Sequence, residues 1–445
     1  MGTITGTDNS EVINGTNGDD TIYGLGGNDT LNGLAGHDIL IGGPGADVLN
    51  GGPDSDIYQD TAANFNGDEI TNLKIGDQIQ ITDLDLSHGS VGLSGNFINY
   101  NNNGVAGSIK IDNIGPGRLV LRLTNGGVDL RLQENAHNDF NGDGRSDILW
   151  RDQNGNIVTW LADANGAFSS NWNNSIRNVT ADWHVVGTGD FNGDGREDIL
   201  WRNDNGTIVD WLGNANGGFT SNYANTAISV PTSWQVVGTA DFNGDGKTDI
   251  LWRNSSGTIV DWLATANGGF TSNYANSAAN VPTNWHVVGT GDFNGDGYQD
   301  ILWRDDAGEV TNWLGNSAGG FTDNSAQAFN YVPTSWTVAG TGDFNGDGIS
   351  DVLWRNTDGT IVDWLGQANG GFTSNYNNSV ATVPTSWTIA SIGDFNGDSH
   401  DDILWRNSDG SLTDWLGTAT GGFMDNSAHA GTSIPTNWHV QDAFF

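Results

Sequence analysis

The chain has 445 residues and a formal charge of −39, from 54 acidic against 15 basic residues. That balance argues against nucleic acid or an anionic membrane as partner, since both are polyanions, while 19 Trp and 17 Phe are too many aromatics for a disordered acidic chain. With no cysteine, disulfides and thiolate zinc sites are unavailable; no run of about 18 apolar residues offers a membrane-spanning helix, and the opening Met-Gly-Thr-Ile-Thr-Gly lacks the basic start and apolar centre of a cleaved signal peptide.

Residues 15–59 repeat with a period of nine, as in Gly-Leu-Gly-Gly-Asn-Asp-Thr-Leu-Asn at 24–32. Asp stands at the sixth place of every copy (Asp20, Asp29, Asp38, Asp47, Asp56), and a large side chain at the eighth (Ile22, Leu31, Leu40, Leu49, Tyr58). Residues 6–14 read as a degraded leading copy with Glu11 at the Asp place. Glycines let carbonyls turn toward an ion, Asp supplies charge, and the eighth-place residues stack into a thin core. The pattern resembles the RTX (haemolysin-type) calcium-binding nonapeptide, which implies a parallel β-roll. The fifth copy departs with Asp54 at the fourth-place glycine, where the roll is expected to fray.

Residues 60–138 carry neither this repeat nor the next one. Alternation in Asp-Gln-Ile-Gln-Ile-Thr (77–82), Ser-Ile-Lys-Ile-Asp (108–112), Arg-Leu-Val-Leu-Arg-Leu (118–123) and Val-Asp-Leu-Arg-Leu (128–132) predicts half-buried strands. They are read as a small β cap over the open end of the roll, with a turn at 125–127 and a polar linker at 134–138.

From residue 139 a 51-residue unit rules. Each copy opens on a loop such as Asp-Phe-Asn-Gly-Asp-Gly-Arg-Ser-Asp-Ile-Leu-Trp at 139–150. Oxygen-bearing side chains fall at places one, three, five and nine, and the backbone carbonyl of place seven can join them. The candidate ligands are Asp139, Asn141, Asp143, Arg145 and Asp147 in the first loop, and Asp190, Asn192, Asp194, Arg196 and Asp198 in the second. The third has Asp241, Asn243, Asp245, Lys247 and Asp249; the fourth Asp292, Asn294, Asp296, Tyr298 and Asp300. The fifth has Asp343, Asn345, Asp347, Ile349 and Asp351, and the sixth Asp394, Asn396, Asp398, His400 and Asp402. Asp-Gly and Asn-Gly are also ordinary turn residues, but six acid clusters make poor turns unless a hard divalent cation such as Ca2+ removes their repulsion.

These nine places match the start of an EF-hand loop, yet Trp150 stands where that loop has its bidentate Glu, and Ile-Leu-Trp predicts a strand rather than a helix. The arrangement resembles FG-GAP/VCBS repeats of integrin-type propellers over residues 139–445, which implies a β-propeller with about four strands per blade. Small residues in Val-Gly-Thr-Gly (186–189) suit an inner strand near the axis. The first loop lacks a preceding Trp-x-Val-Val strand, whereas the chain ends in Trp-His-Val-Gln-Asp-Ala-Phe-Phe (438–445). The expected fold is therefore all-β: a parallel β-roll (1–59), a β cap (60–138) and a six-bladed propeller (139–445) closed by the C-terminal strand, a seventh blade from 60–138 being the variant.

Eighteen of the 19 Trp are periodic, in series headed by Trp150, Trp160 and Trp183, with Trp172 outside. The favoured reading is that they fill the spaces between blades. The functional alternative has one series line repeated sugar pockets with Arg151, Arg202, Arg253, Arg304, Arg355 and Arg406, single weak sites gaining strength through avidity.

No His-Glu-x-x-His helix and no Gly-x-Ser-x-Gly elbow is present, and the eight His do not cluster, so no catalytic residues are assigned and the chain is not read as an enzyme. RTX resemblance implies export, with Asp-Ala-Phe-Phe (442–445) similar to some uncleaved C-terminal secretion signals, although the repeats stand at the opposite end from the usual order. The expectation is a secreted protein in which several calcium ions replace disulfides as staples, acting in recognition or adhesion toward glycans or cell-surface ligands. A structural matrix or surface-layer protein, or a polysaccharide-active enzyme, are the rivals. Ser399 replaces the place-six glycine, so the sixth loop is expected to bind most weakly.

Overall fold

The computed structural model describes residues 2–441 apart from 53–55, 74–76, 87, 95, 113–117, 125–126, 134–135 and 227. The chain forms two compact units, Met1–Glu134 and Asn135–Phe445.

In the first unit, short strands alternate between two facing parallel sheets. One takes Gly2–Thr5, Asp20–Tyr23, Ile39–Ile41, Ile57–Asp60 and Gln78–Ile81; the other takes Val12–Asn14, Thr30–Asn32, Val48–Asn50 and Glu69–Thr71. Eighth-place residues Ile22, Leu31, Leu40, Leu49 and Tyr58 are fully buried between the sheets, and Ile13 of the degraded leading copy joins them. A nine-residue period does this because each turn and strand advance the chain by half a coil, so alternate repeats fall on opposite sheets.

The parallel ladder runs past residue 59: Ile57–Asp60 pairs with Gln78–Ile81, and Val48–Asn50 with Glu69–Thr71. The alternating strands foreseen in 60–138 extend these same sheets. Val105–Asp112 runs parallel to Glu69–Thr71, then Phe97–Asn102 and Ser90–Ser94 follow antiparallel; Gly127–Gln133 and Arg118–Thr124 extend the other sheet antiparallel. Roll and added strands share one core. Asp54, where fraying was expected, and most of the 125–127 turn lie outside the described residues, but Ile57–Asp60 keeps its parallel partners on both sides.

The second unit is a six-bladed propeller. A typical blade has an inner strand Trp183–Gly189, then Asp198–Asn203, Thr207–Gly213 and an outer strand Phe219–Ser221, all antiparallel. A one-turn helix, Tyr223–Thr226, and a two-residue strand, Ile228–Ser229, that pairs back onto Thr207–Gly213 complete it; the sequence did not announce these. The inner strand carries a bulge between Val185 and Gly187, repeated in the four blades that follow. Small residues are needed just beyond it: a Cβ on Gly187 or Gly289 would lie 2.6 Å from the methyl of Thr239 or Thr341 in the next blade.

In the first blade the inner strand is Trp438–Val440, antiparallel to Ile148–Asp152 with Trp150 opposite Val440. The C-terminal strand thus closes the ring, as its sequence implied. Residues 442–445 and the export signal read there lie outside the described residues.

Each interface between neighbouring blades has its own core. One joins Phe140, Leu149 and Ile157 to Ile199 and Trp201; the sixth joins Ile148 and Trp150 to Phe395, Leu404, Leu412 and Ile434 across the closure seam. The place-two Phe of each loop is fully buried and meets the outer-strand Phe of the next blade edge-on, Phe140 and Phe219 at 5.4 Å.

Candidate metal centre

Each propeller loop is an acid-rich turn held by its own backbone. In the first, Asp139 Oδ1 accepts from the amides of Gly142 and Asp143 (2.8 and 3.1 Å), and Oδ2 from Gly144 (2.7 Å). Gly144 has φ 84°, a conformation glycine adopts without strain. Asn141 Oδ1 accepts from the Asp143 amide, while Asp143 Oδ1 accepts from Arg145. Asp147 spans two elements: Oδ2 takes the Phe140 amide at 3.1 Å and Oδ1 the Ala162 amide of the third strand at 3.0 Å. The same pair of bonds recurs at Asp198, to Phe191 and Gly213. Place nine is therefore first an anchor between loop and blade.

Burial pushes these place-nine acids up, Asp147 to about 8, with Asp139 and Asp143 adding repulsion. Asp198, Asp249, Asp300, Asp351 and Asp402 are raised well above the ordinary carboxylate range for the same first reason. Place-one Asp190 is raised to about 6 by burial. A carboxyl group in this state holds either a proton or a cation more readily than an exposed one.

The six loops make one ring. The place-eight amide of each donates to the place-one carbonyl of the loop before it, Glu197 to Asp139 at 2.9 Å and Ser350 to Asp292 at 2.7 Å; Ser146 to Asp394 at 2.8 Å closes the circle. Place-seven side chains also lean on the preceding loop, where a Cβ on Gly142 would lie 2.9 Å from Arg196 Cγ. Three of these side chains are cationic and turn back on their own place-five acid. Arg145 reaches Asp143 at 2.5 Å, Lys247 reaches Asp245 at 2.9 Å, and Arg196 pairs with Asp194. His400 contacts Asp398 at 2.9 Å, whereas Tyr298 and Ile349 carry no charge. In the sixth loop Ser399 keeps the amide bond to Asp394 Oδ2 (2.8 Å) at φ 72°, unfavourable for a residue with a side chain.

In the roll, the sixth-place acids form two ladders. The Glu11 amide donates to Asp29 Oδ1, Asp29 to Asp47, and Asp47 to Asp68; on the other side Asp20 donates to Asp38, Asp38 to Asp56, and Asp56 to Asp77, all at 2.7–2.9 Å. The second oxygens of Asp29 and Asp47 are buried with no hydrogen-bond donor. Burial raises Asp47 to about 6, while bonds from Thr16 hold Asp20 below the usual range. The first-place glycine lies against the same oxygen: a Cβ on Gly24 would sit 2.6 Å from Asp29 Oδ2, and on Gly42 2.4 Å from Asp47 Oδ2. Buried anionic oxygens without donors are what a hard cation with oxygen ligands would satisfy. Among the described residues no three His, Cys, Asp or Glu side chains converge as a metal cage by themselves, so carbonyls and amide oxygens have to complete any such site.

Asp68 and Asp77 were missed in the sequence because three extra residues after Asp56 break the phase. The signal was present: Asp68-Glu-Ile70 and Asp77-Gln-Ile79 repeat Asp-x-large at the same nine-residue spacing.

The Trp and Arg series lie inside the blade interfaces. Trp150, Trp201, Trp252, Trp303, Trp354 and Trp405 are fully buried, and each carries the Arg of the preceding blade over its ring at 5.3–5.5 Å. Those Arg are spent on backbone carbonyls as well, Arg151 Nη1 donating to Trp183 O at 2.6 Å. Exposed aromatics stand elsewhere: beside the outer strands Trp172, Tyr223, Tyr274 and Tyr376 are 42–62% exposed, and Phe329 and Tyr331 are exposed in the fourth blade. His184 and His286 are exposed beside Asp204 and Asp306.

A family model for the FG-GAP-like repeat matches residues 139–201, 190–252, 241–303, 292–354 and 343–405. A model for the RTX calcium-binding nonapeptide repeat (4 copies) matches residues 5–40 and 24–58. Both are calcium-binding repeat types. No curated protein matches the chain. Among solved structures, a subunit of the Azotobacter vinelandii mannuronan C5-epimerase is 25% identical with a TM-score of 0.19, covering 24% of this chain and 72% of its own. A Bacteroides fragilis protein provisionally assigned as a 6-phosphogluconolactonase is 16% identical at TM-score 0.39, covering 80% and 97%. AofleA from Arthrobotrys oligospora is 12% identical at TM-score 0.35, covering 72% and 94%. These overlaps are too loose to transfer an activity.

Proposed function

From the premise that the chain belongs to the FG-GAP-like repeat family, with RTX nonapeptides ahead of the propeller, we propose that it is a secreted calcium-binding protein whose calcium-stabilised propeller serves as a recognition or adhesion module for glycans or cell-surface ligands. The observation that carries the calcium half is the set of buried acid oxygens lacking donors in the roll, Asp29 Oδ2 and Asp47 Oδ2; the ring of acid loops in the propeller adds to it. Calcium neutralises these groups at the roughly millimolar levels met outside cells, so folding gains stability where the ion is present. Calcium is structural in this reading. The ion is held by the sixth-place acids in the roll and, in the loops, by Asp139, Asn141, Asp143 and the Arg145 carbonyl, with Asp147 behind them, and likewise in the other five copies.

Support for recognition comes from the rim. Burial removes the Trp150 series from any ligand, and the half-buried Arg151 series is engaged by backbone carbonyls, whereas Trp172, Tyr223, Tyr274 and Tyr376 stand exposed at equivalent positions of four blades. Aromatic faces stack on sugar C–H faces, and repeated weak sites multiply through avidity on a polysaccharide. A glycan array probed with the calcium-loaded chain and a Tyr223, Tyr274 and Tyr376 triple Ala variant tests this. Calcium-dependent binding that the variant loses supports it; self-assembly without ligand favours a matrix role, and product release from a polysaccharide favours an enzyme.

A further inference from the structure

The roll's acid ladder does not stop where the nonapeptides stop. Asp68 lies ten residues beyond the last matched repeat residue, after a turn that carries Ala63 where the repeat has its first-place glycine. It is nevertheless a rung: its Oδ1 accepts the Asp47 amide at 2.8 Å, as Asp47 Oδ1 accepts that of Asp29 at 2.7 Å. Its own carbonyl accepts from Lys110 at 2.8 Å, which fixes the rung against Val105–Asp112. Asp68 is wholly buried, and its Oδ2, like that of Asp47, has no hydrogen-bond donor.

Asp60 ties the two turns together. Its Oδ2 accepts from the Gly43 amide in the Asp47 turn at 2.8 Å, while Oδ1 accepts from the Thr61 amide and Asn64 Nδ2, both 2.7 Å. Asp60 is thereby occupied as a brace, whereas Asp47 and Asp68 each keep one oxygen without a donor. Two buried carboxylate oxygens stacked on one ladder without donors cost free energy unless something positive lies between them.

We infer that Asp47 and Asp68 hold a further hard divalent cation of the calcium class, at a site that pairs a repeat acid with one beyond the nonapeptides, with backbone carbonyls and water completing its oxygen shell. The site would tie the Asp47 turn to the Asp68 turn, whose carbonyl takes the Lys110 amide, so the ion steadies the roll where Val105–Asp112 joins it. This rests on the calcium reading of the nonapeptides, but it assigns a ligand that those repeats do not contain.

Asp68→Asn in the full chain tests it, because Asn keeps the oxygen that receives the Asp47 amide and removes the charge. Native mass spectrometry at saturating calcium should count one ion fewer than in the unaltered chain. Thermal melts should show the variant losing stability in calcium but not in EGTA. An equal ion count, or the same Tm loss with and without calcium, overturns the inference while leaving the nonapeptide sites intact; an unaltered chain that binds no calcium at all overturns both. Should the variant fail to fold, terbium-soaked crystals of the unaltered chain decide. Anomalous density between Asp47 and Asp68 supports the site, and density in the nonapeptide turns with none there overturns it.

Discussion

The guanidinium of Arg406, in the last blade, lies over the ring of Trp150, in the first, 5.3 Å from its centroid. Two residues 256 positions apart by their numbering thus repeat the contact that every other pair of neighbouring blades makes, such as Arg253 over Trp303 at 5.4 Å. The closure seam is built like the other five interfaces.

Arg406→Ala and Arg253→Ala should therefore cost similar stability, about 1–2 kcal/mol from the lost cation–π contact and stem packing. Urea unfolding in calcium buffer measures both. A negligible loss for Arg406→Ala beside a clear one for Arg253→Ala would mean that the ring is open in solution.

Place five and place nine of a loop should respond differently to substitution. Asp198→Ala removes the acceptor for the Phe191 and Gly213 amides and leaves both buried, so it should destabilise by about 2–4 kcal/mol with or without calcium. Asp194→Asn keeps an acceptor and should mainly weaken calcium uptake. Calorimetric titration alongside melts in EGTA separates the two; equal effects on metal-free stability would refute the distinction.

The sixth loop carries strain that one substitution relieves. Ser399→Gly should stabilise the propeller by about 1 kcal/mol, because φ 72° costs a side-chain-bearing residue roughly that much. Calcium titration should show the weakest loop site tightening. An unchanged Tm would show that the positive φ costs Ser399 nothing in the folded loop, since the backbone amide bond to Asp394 is the same in both chains.

Acid should act in opposite directions with and without calcium. Asp68 and Asp147 are raised to about 8 and Asp47 and Asp190 to about 6, chiefly by burial. The folded state then binds protons more tightly than the unfolded chain, so metal-free stability is greatest below the unfolded carboxyl pKa and falls as pH rises from about 4 toward 8. With calcium bound, protons compete for the same oxygens, so stability should instead fall as the solution is acidified. Melts between pH 5 and pH 8 in EGTA and in calcium give the two slopes; parallel slopes would mean that these acids hold no metal.

How far the sequence discloses this molecule depends on phase. Asp-Phe-Asn-Gly-Asp recurs every 51 residues, so loops, blades and the donated strand at Trp438 could be counted by residue number. Asp68 escaped because the insertion after Asp56 shifts it out of register, although Asp-x-Ile persists. The strands of 60–138 were visible from their alternation, but alternation says nothing of pairing partners, so their continuation of the roll's own sheets was not. Nor could spacing tell that Arg151 reaches forward to Trp201 of the next blade rather than outward to a ligand: both residues are in every repeat, and only the packing of blade on blade decides.

One buried acid series has its own internal control. Third-strand Asp261, Asp363 and Asp414 are buried, raised to about 6 by that burial, and keep one oxygen with no donor. The equivalent residues of two other blades are donors: Thr159 Oγ1 gives a bond to Gly217 O at 2.7 Å, and Asn312 Nδ2 to Gly370 O at 2.9 Å, in each case into the following blade. A protonated Asp can make the same donation, and an ionised one cannot. Asp261→Asn, Asp363→Asn or Asp414→Asn should therefore stabilise the propeller at pH 7 by about 1 kcal/mol or more each, the value of a regained buried hydrogen bond. The gain should shrink toward zero as pH falls below about 5, where the native acid regains its proton. Melting curves of each variant across pH 4.5–7.5 in constant calcium read this out directly. A gain that does not vary with pH would show that these carboxyls stay protonated at neutrality, and a loss at pH 7 would show that the anion itself is what the neighbouring blade requires.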